Sequence, residues 1–450
     1  MHKTDLFNIK KPDKINKSFE EISKRLLHEP TRIMMDEIYC KMFDVDGNFV
    51  EQIQTTGFDA RIFELFLFAY FESCGYKIIR DYDCPDFIVE CDGLKVAIEA
   101  TTVNKSDKFE SKDYLKMNDE ERLKYILNEV PIRLGSALYS KLNHEYKVKG
   151  KGKFKYWELD QCKDIPFVLA VEAFFDENSL GFSSSSLTNY LYGEFEYPTH
   201  TVDGKLDVKS IPLKEHKLMD KQIPSNFFKQ PNTENISAII FSNTGTIAKF
   251  KRMGYQEEYY SSFMKITREG TCYDFNPNAS KPLQFIYDLD NPPIRETWGQ
   301  GLVVCYNPNA KIPLTKDFFD GTVQTYCEDN KIYTDIPRPF YPFTSKTQVL
   351  GYGEYLFEIN ESVERITKRY FSDLVGIDDR DMNGNIEIGW VATKNKDRLA
   401  TLIMNIDKEK YGYAIFNKEG SSYEPYKFIK AQFELKEAAQ FMLDDIKSTF

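Results

Sequence analysis

Apolar residues in this chain cluster in short blocks, and the spacing inside each block sets the element it predicts. The densest block is FDARIFELFLFAYFESCG, residues 58–75. From Ile62 to Phe71 almost every position is apolar on all sides, which predicts a helix buried over most of its surface. Asp59 reads as its N-cap and Gly75 as its left-handed stop. Tyr76–Arg80 reads as a short strand. DFIVEC (Asp86–Cys91) and LKVAIEAT (Leu94–Thr101) read as strands flanking Asp92-Gly93, a dipeptide favoured in two-residue hairpin turns. A helical region over Glu120–Glu145, interrupted at Pro131, comes next. The runs PFVLAVEA (166–173), ISAIIFS (236–242) and GLVVCY (301–306) are bounded by Pro, Gly, Asn and Ser, and predict buried sheet strands.

Helices alternating with such strands predict an α/β core over residues 46–350. Within it, 176–233 and 307–350 are richer in Ser, Pro, Asn and Tyr and read as insertions or elaborate loops. Residues 1–45 form a lysine-rich segment with a helix over Lys17–Leu27. Residues 351–450 read as a small α+β module suited to interaction with a partner protein or to homo-oligomerisation. Its expected elements are a helix from Asn360 to Val375 stopped by Gly376, then strands at 386–393, 399–406 and 411–416. In its closing helix Leu435, Ala438, Ala439, Met442, Leu443 and Ile446 make one apolar stripe.

Charge narrows the function classes. Lys and Arg number 59 against 70 Asp and Glu, so at −11 no global basic field draws the protein to nucleic acid or anionic lipid. Any nucleic-acid contact must come from local patches. The apolar stretches Leu65–Phe71 and Ile165–Val171 fall far short of the roughly 20 residues that span a bilayer. The N-terminus, MHKTDLFNIKKPDK, has no signal-peptide core. The expectation is a cytoplasmic protein without a membrane partner. The 8 cysteines include no C-x-x-C pair, and none of the 5 histidines falls in a metal-ligand spacing. Those histidines read as structural, and chemistry is left to carboxylates.

A two-residue turn at Asp92-Gly93 pairs Cys91 with Leu94 and, counting back along both strands, Asp86 with Glu99. Directly opposed residues share a face with Cβ atoms about 4.5–5.5 Å apart. Two carboxylates that close repel unless a cation sits between them, and Mg²⁺ suits one or two carboxylates plus waters and a phosphate. Glu64, inside the apolar helix, is costly as an ion without a cation or donor, so it is a candidate to complete or orient the site. Glu72 is the competing helical carboxylate.

The order Phe63-Glu64, Gly75-Tyr76, Pro85-Asp86-Phe87, Ile98-Glu99-Ala100-Thr101 resembles the PD-(D/E)xK, or restriction-endonuclease-like, nuclease superfamily. The resemblance implies a mixed sheet flanked by helices. It implies that Asp86 and Glu99 bind Mg²⁺, with Mn²⁺ as substitute, assisted by the Ala100 carbonyl and with Glu64 as accessory acid. The implied reaction is phosphodiester hydrolysis by metal-activated water, on DNA rather than RNA, in prokaryotic restriction or phage defence. Where the superfamily has lysine this chain has Thr101, whose hydroxyl binds a water or phosphate oxygen but brings no positive charge. Lys95 shares that face about 13 Å back along the strand, too far to replace it. Lys141 is the surrogate cation, in an i, i+4, i+8 row with Arg133 and Ala137. The second reading is a nuclease-like fold that has lost catalysis and binds nucleic acid or protein.

Lys147, Lys149, Lys151, Lys153 and Lys155 alternate through KVKGKGKFK and run into Tyr156 and Trp157. With Arg133 they make the expected nucleic-acid surface, where charge grips phosphate and rings stack on bases. Lys249, Lys251 and Arg252 form a smaller basic cluster. No nucleotide-hydrolysing motif appears.

Overall fold

The computed structural model describes residues 6–42, 47–105, 116–148, 150–175, 184–351, 362–375 and 384–448. Four helices open the chain: α1 (Lys17–Lys24), α2 (Glu29–Lys41), α3 (Phe49–Gln54) and α4 (Phe58–Ser73). The apolar block becomes α4, buried at Phe58 and continuously from Ile62 to Phe71. Gly57, not Asp59, is its N-cap, and Asp59 lies in the first turn, where the helix dipole favours an acid. Gly75 ends it at φ +76°, with the Gly75 N–H on the Glu72 carbonyl and the Tyr76 N–H on Phe71. That pair of bonds is a Schellman closure, and it needs the left-handed conformation glycine adopts without strain.

Strands β1 (Lys77–Ile79), β2 (Phe87–Cys91) and β3 (Leu94–Asn104) begin an eight-stranded mixed sheet. Beyond β3 it continues in spatial order through Phe167–Phe174, Ala238–Ser242, Leu302–Tyr306, Val323–Glu328 and Lys331–Asp335. β3 runs parallel to the Phe167 strand and that one parallel to the Ala238 strand, while β2 is antiparallel to both of its neighbours, β1 and β3. The last two strands lie in the 307–350 stretch that reads as an insertion. They were hidden because they interleave polar with apolar residues, and only Val323, Gln324 and Thr325 are buried.

Each face of the sheet carries helices. Phe87, Val89, Val96, Ile98 and Ala100 face α4 in one apolar cluster. Ile88, Ala97 and Leu169 face the other way, against Val130, Leu134, Leu138 and Leu142 of α6 (Val130–Asn143). The result is three layers, helix, sheet and helix. Before α6 come α5 (Asp119–Lys124) and a π-turn at Tyr125–Glu129, so the interruption expected at Pro131 is a local widening. Pro131 has no N–H for the Leu127 carbonyl, and that oxygen meets the His216 ring at 2.5 Å instead.

The 176–233 stretch, from residue 184 on, carries the Ser185–Tyr192 helix and two hairpins. The C-terminal region is a five-stranded antiparallel sheet ending in the Leu435–Lys447 helix. Ala438, Ala439, Met442, Leu443 and Ile446 of its stripe are buried, and Leu435 is half-buried beside them. Two details differ from the sequence reading. Val363–Arg365 is a strand and the helix begins only at Lys368, and Ser422–Phe433 adds a fifth strand that is exposed along most of its length. Asn360 and Gly376 lie outside the described residues. The other face of this sheet shares a core with Tyr260, Met264 and Ile266, so the module is packed onto the rest of the chain. Among the described residues no helix is long and apolar enough to cross a membrane.

Candidate functional site

The hairpin register runs from Cys91↔Leu94 to Phe87↔Ile98, which places Asp86 beside Glu99 one step further on. The Asp86 N–H approaches Glu99 Oε2 at 3.4 Å, and the Ala100 N–H donates to Asp86 Oδ2 at 2.7 Å. Both side chains lie on the α6 side of the sheet, since Ile98 and Ala100 between them face α4. There Lys141 Nζ, from α6, meets Glu99 Oε1 at 2.5 Å. The ammonium also lies 5.8 Å from the centre of the Tyr156 ring. Burial works to lower Lys141, but the Glu99 carboxylate outweighs it and holds the ammonium above its ordinary range.

Burial, then the neighbouring Glu99 charge, pushes Asp86 up to about 7. Glu64, at the α4 side, also rises to about 7, through burial first and the Asp86 charge second. Arg61, one turn earlier in α4, opposes this with its Nη1 at 2.6 Å from Glu64 Oε2. Its Nε donates to Gln52 at 2.7 Å, so Arg61 is anchored from two sides. Burial and the Glu99 charge likewise raise the Tyr156 hydroxyl, which stays a proton donor toward Glu99.

Asp86, Glu99, Lys141 and Tyr156, but not Glu64 or Arg61, open onto a cleft of about 330 Å³ that His144 and Tyr146 also line. A second depression of about 380 Å³ shares Asp83, Cys84 and Tyr146 with it and carries Lys147 and Lys151. Asp86 and Glu99 offer hard oxygen donors that repel one another, a donor set that fits Mg²⁺ or Mn²⁺ with water completing the shell. Among the described residues no three His, Cys, Asp or Glu side chains converge as one metal-holding group. Glu64 is therefore placed to act on Asp86 electrostatically, with its own charge met by Arg61.

The other predicted residues scatter. Thr101 follows Glu99 two positions along β3, on the same face and half-buried. Lys95 sits toward the turn, 4.0 Å from Glu90. Lys147, Lys151, Lys153 and Lys155 belong to or flank a small hairpin, Tyr146–Val148 with Gly152–Phe154, and Lys149 lies outside the described residues. Lys151 pairs with Asp160 at 2.7 Å, Lys153 with Glu145 at 3.7 Å, and Lys155 donates to the Asn143 carbonyl. The run is thus partly neutralised by its own neighbours.

Arg133 corrects the expectation of an open basic row on α6. It is only 8% exposed, bonds Glu129 at 2.7 Å and lies over the Phe175 ring at 4.9 Å. Helical spacing establishes that residues share a face but not whether that face meets solvent. Lys249, Lys251 and Arg252 are buried for the same reason, and Glu296 binds the first and third. Sequence reasoning passed over His144, whose signal was its place one helical turn after Lys141. No family model matches the chain, and no curated protein and no solved structure matches it.

Proposed function

We propose that this protein is a Mg²⁺-dependent nuclease that hydrolyses phosphodiester bonds, on a restriction-endonuclease-like core. The observation that carries the reading is the Asp86–Glu99 pair on an open cleft with Lys141 Nζ 2.5 Å from Glu99. Lys141 brings from α6 the positive charge that Thr101 lacks. Asp86 and Glu99 would hold Mg²⁺, or Mn²⁺ in its place, through carboxylate oxygens. When bound, the ion supplies a low-pKa water and charge neutralisation at phosphorus. Lys141 orients that water or a phosphate oxygen and stabilises charge on the phosphoryl group. The Thr101 hydroxyl is a second contact for water or phosphate. In the adjoining depression Lys151 is paired with Asp160, and Lys147 is the residue offered to an approaching phosphate, beside the acids Asp81, Asp83 and Glu158. DNA over RNA, and a role in defence, rest on the sequence resemblance.

The test incubates the protein with plasmid, single-stranded DNA and RNA in Mg²⁺, Mn²⁺ or EDTA. Cutting is expected with either ion, not in EDTA, and not in Asp86→Ala or Glu99→Ala. Cutting that persists in both variants overturns the assignment. A second reading, a nuclease-like module that binds without cutting, is favoured by the direct pairing of the Lys141 ammonium with Glu99. It predicts retained oligonucleotide binding with no product under any ion.

A further inference from the structure

We propose that His144 is the proton donor to the leaving oxygen in this cleft, an inference that rests on the nuclease reading. His144 is the C-cap of α6, and its N–H bonds the Lys141 carbonyl at 3.2 Å. Its ring stacks on Tyr156 with centroids 5.5 Å apart and planes 23° apart. Tyr156 stacks in turn on Phe167 at 5.6 Å and 13°, and Phe167 opens a central strand of the main sheet. A column of near-parallel rings therefore roots the imidazole in the core and fixes its plane, while the residue itself is exposed and lines the cleft with Asp86 and Glu99.

The ring nitrogens distinguish it from His216 and His200, while His28, whose buried Nδ1 also has no partner, lines no part of this cleft. His216 has both engaged, one with the Leu127 carbonyl at 2.5 Å and one with Ser225 Oγ at 2.9 Å. His200 meets the Asn278 carbonyl at 2.9 Å through Nε2. Neither nitrogen of His144 bonds a protein group among the described residues. A side chain held by stacking in the wall of the cleft, with no protein partner on its ring nitrogens among the described residues, is arranged for a ligand. The charges around it suit a proton donor. Asp83 and Asp86 line the same cleft, Lys141 is paired with Glu99, and Glu145 is paired with Lys153.

A water oxygen bonds to phosphorus as the bond from phosphorus to the leaving oxygen breaks. The bonding pair goes to that oxygen, which takes the imidazolium proton. The attacking water's surplus proton passes to solvent, and His144 recovers a proton from solvent.

The experiment compares wild type, His144→Gln and His144→Asn on an oligonucleotide and on the same oligonucleotide with sulfur as the bridging leaving atom, in both the 3′ and 5′ forms. A thiolate leaves without protonation. The variants are expected to cut the ordinary substrate about 100-fold or more slowly. On one of the sulfur substrates they should return to within a few-fold of wild type, with oligonucleotide affinity in EDTA unchanged. Unimpaired cutting of the ordinary substrate, or an equal loss on every substrate, overturns the role of His144 and leaves the nuclease reading standing. Absence of cutting by wild type overturns both.

Discussion

Around Glu296 one carboxylate is surrounded by Lys249, Arg252 and Arg268, whereas at the cleft two carboxylates, Asp86 and Glu99, share Lys141. Both groups look alike along the chain, as charged residues among apolar ones. Their surroundings differ. Glu296 is buried, but burial is overcome by Arg252, Arg268 and Lys249, which hold its carboxyl well below the usual range. Asp86 receives one backbone N–H and a like-charged neighbour, and rises to about 7. The first group satisfies its acid internally and ties the Ile247–Gln256 helix to the loop before Leu302. The second leaves negative charge unbalanced on a cleft, which is the condition for recruiting a cation.

Four substitutions test this contrast. On the proposed nuclease reading Asp86→Asn should slow cutting by about 10⁴-fold, about 5 kcal/mol of barrier, through loss of a proposed Mg²⁺ ligand. Its thermal unfolding midpoint should hold or rise because repulsion with Glu99 is relieved. Glu296→Gln should do the reverse, leaving three cations without their carboxylate at a cost of about 3–5 kcal/mol in urea unfolding.

Glu172 isolates the effect of a missing cation. It is fully buried, accepts from the Gly245 N–H at 3.1 Å, and its Oε2 has no partner among the described residues. Burial raises it to about 8 from 4.5. The folded state thus keeps a proton that the unfolded chain releases near 4.5, so its contribution to stability is full below that pH and is lost as pH rises to about 8. Glu172→Gln, always neutral, should gain on wild type by a few kcal/mol between pH 5 and 9, read as the difference in unfolding midpoint. The smallest effect belongs to Lys147→Ala, which should weaken oligonucleotide binding by under about 1 kcal/mol and lower the salt slope by about one.

Much of the site is written locally. Asp92-Gly93 sets the register of β2 and β3, and because side chains alternate along a strand the register places Asp86 beside Glu99. The stripe of the closing helix was legible for a similar reason, since a 3.6-residue period names its inward face. Arg133 and Lys249 show where this stops. Each sits in a basic pattern, yet each is buried against an acid, at Glu129 and Glu296 respectively. The strands Val323–Glu328 and Lys331–Asp335 were hidden because half-exposed edge strands carry loop-like composition.

What the chain determines by itself is short in range: the hairpin, the buried helix α4 and its glycine stop, and the apolar strands of an α/β core. These follow from backbone preferences and from periodicities that act over a few residues. Tertiary structure alone decided that Lys141 reaches Glu99 across 42 positions, that His144 comes to rest on Tyr156, and that one basic cluster faces the core. Those outcomes depend on how α6 and the Ile247–Gln256 helix rotate as they pack, and that rotation is chosen by apolar burial summed over the whole core rather than by any neighbouring residue.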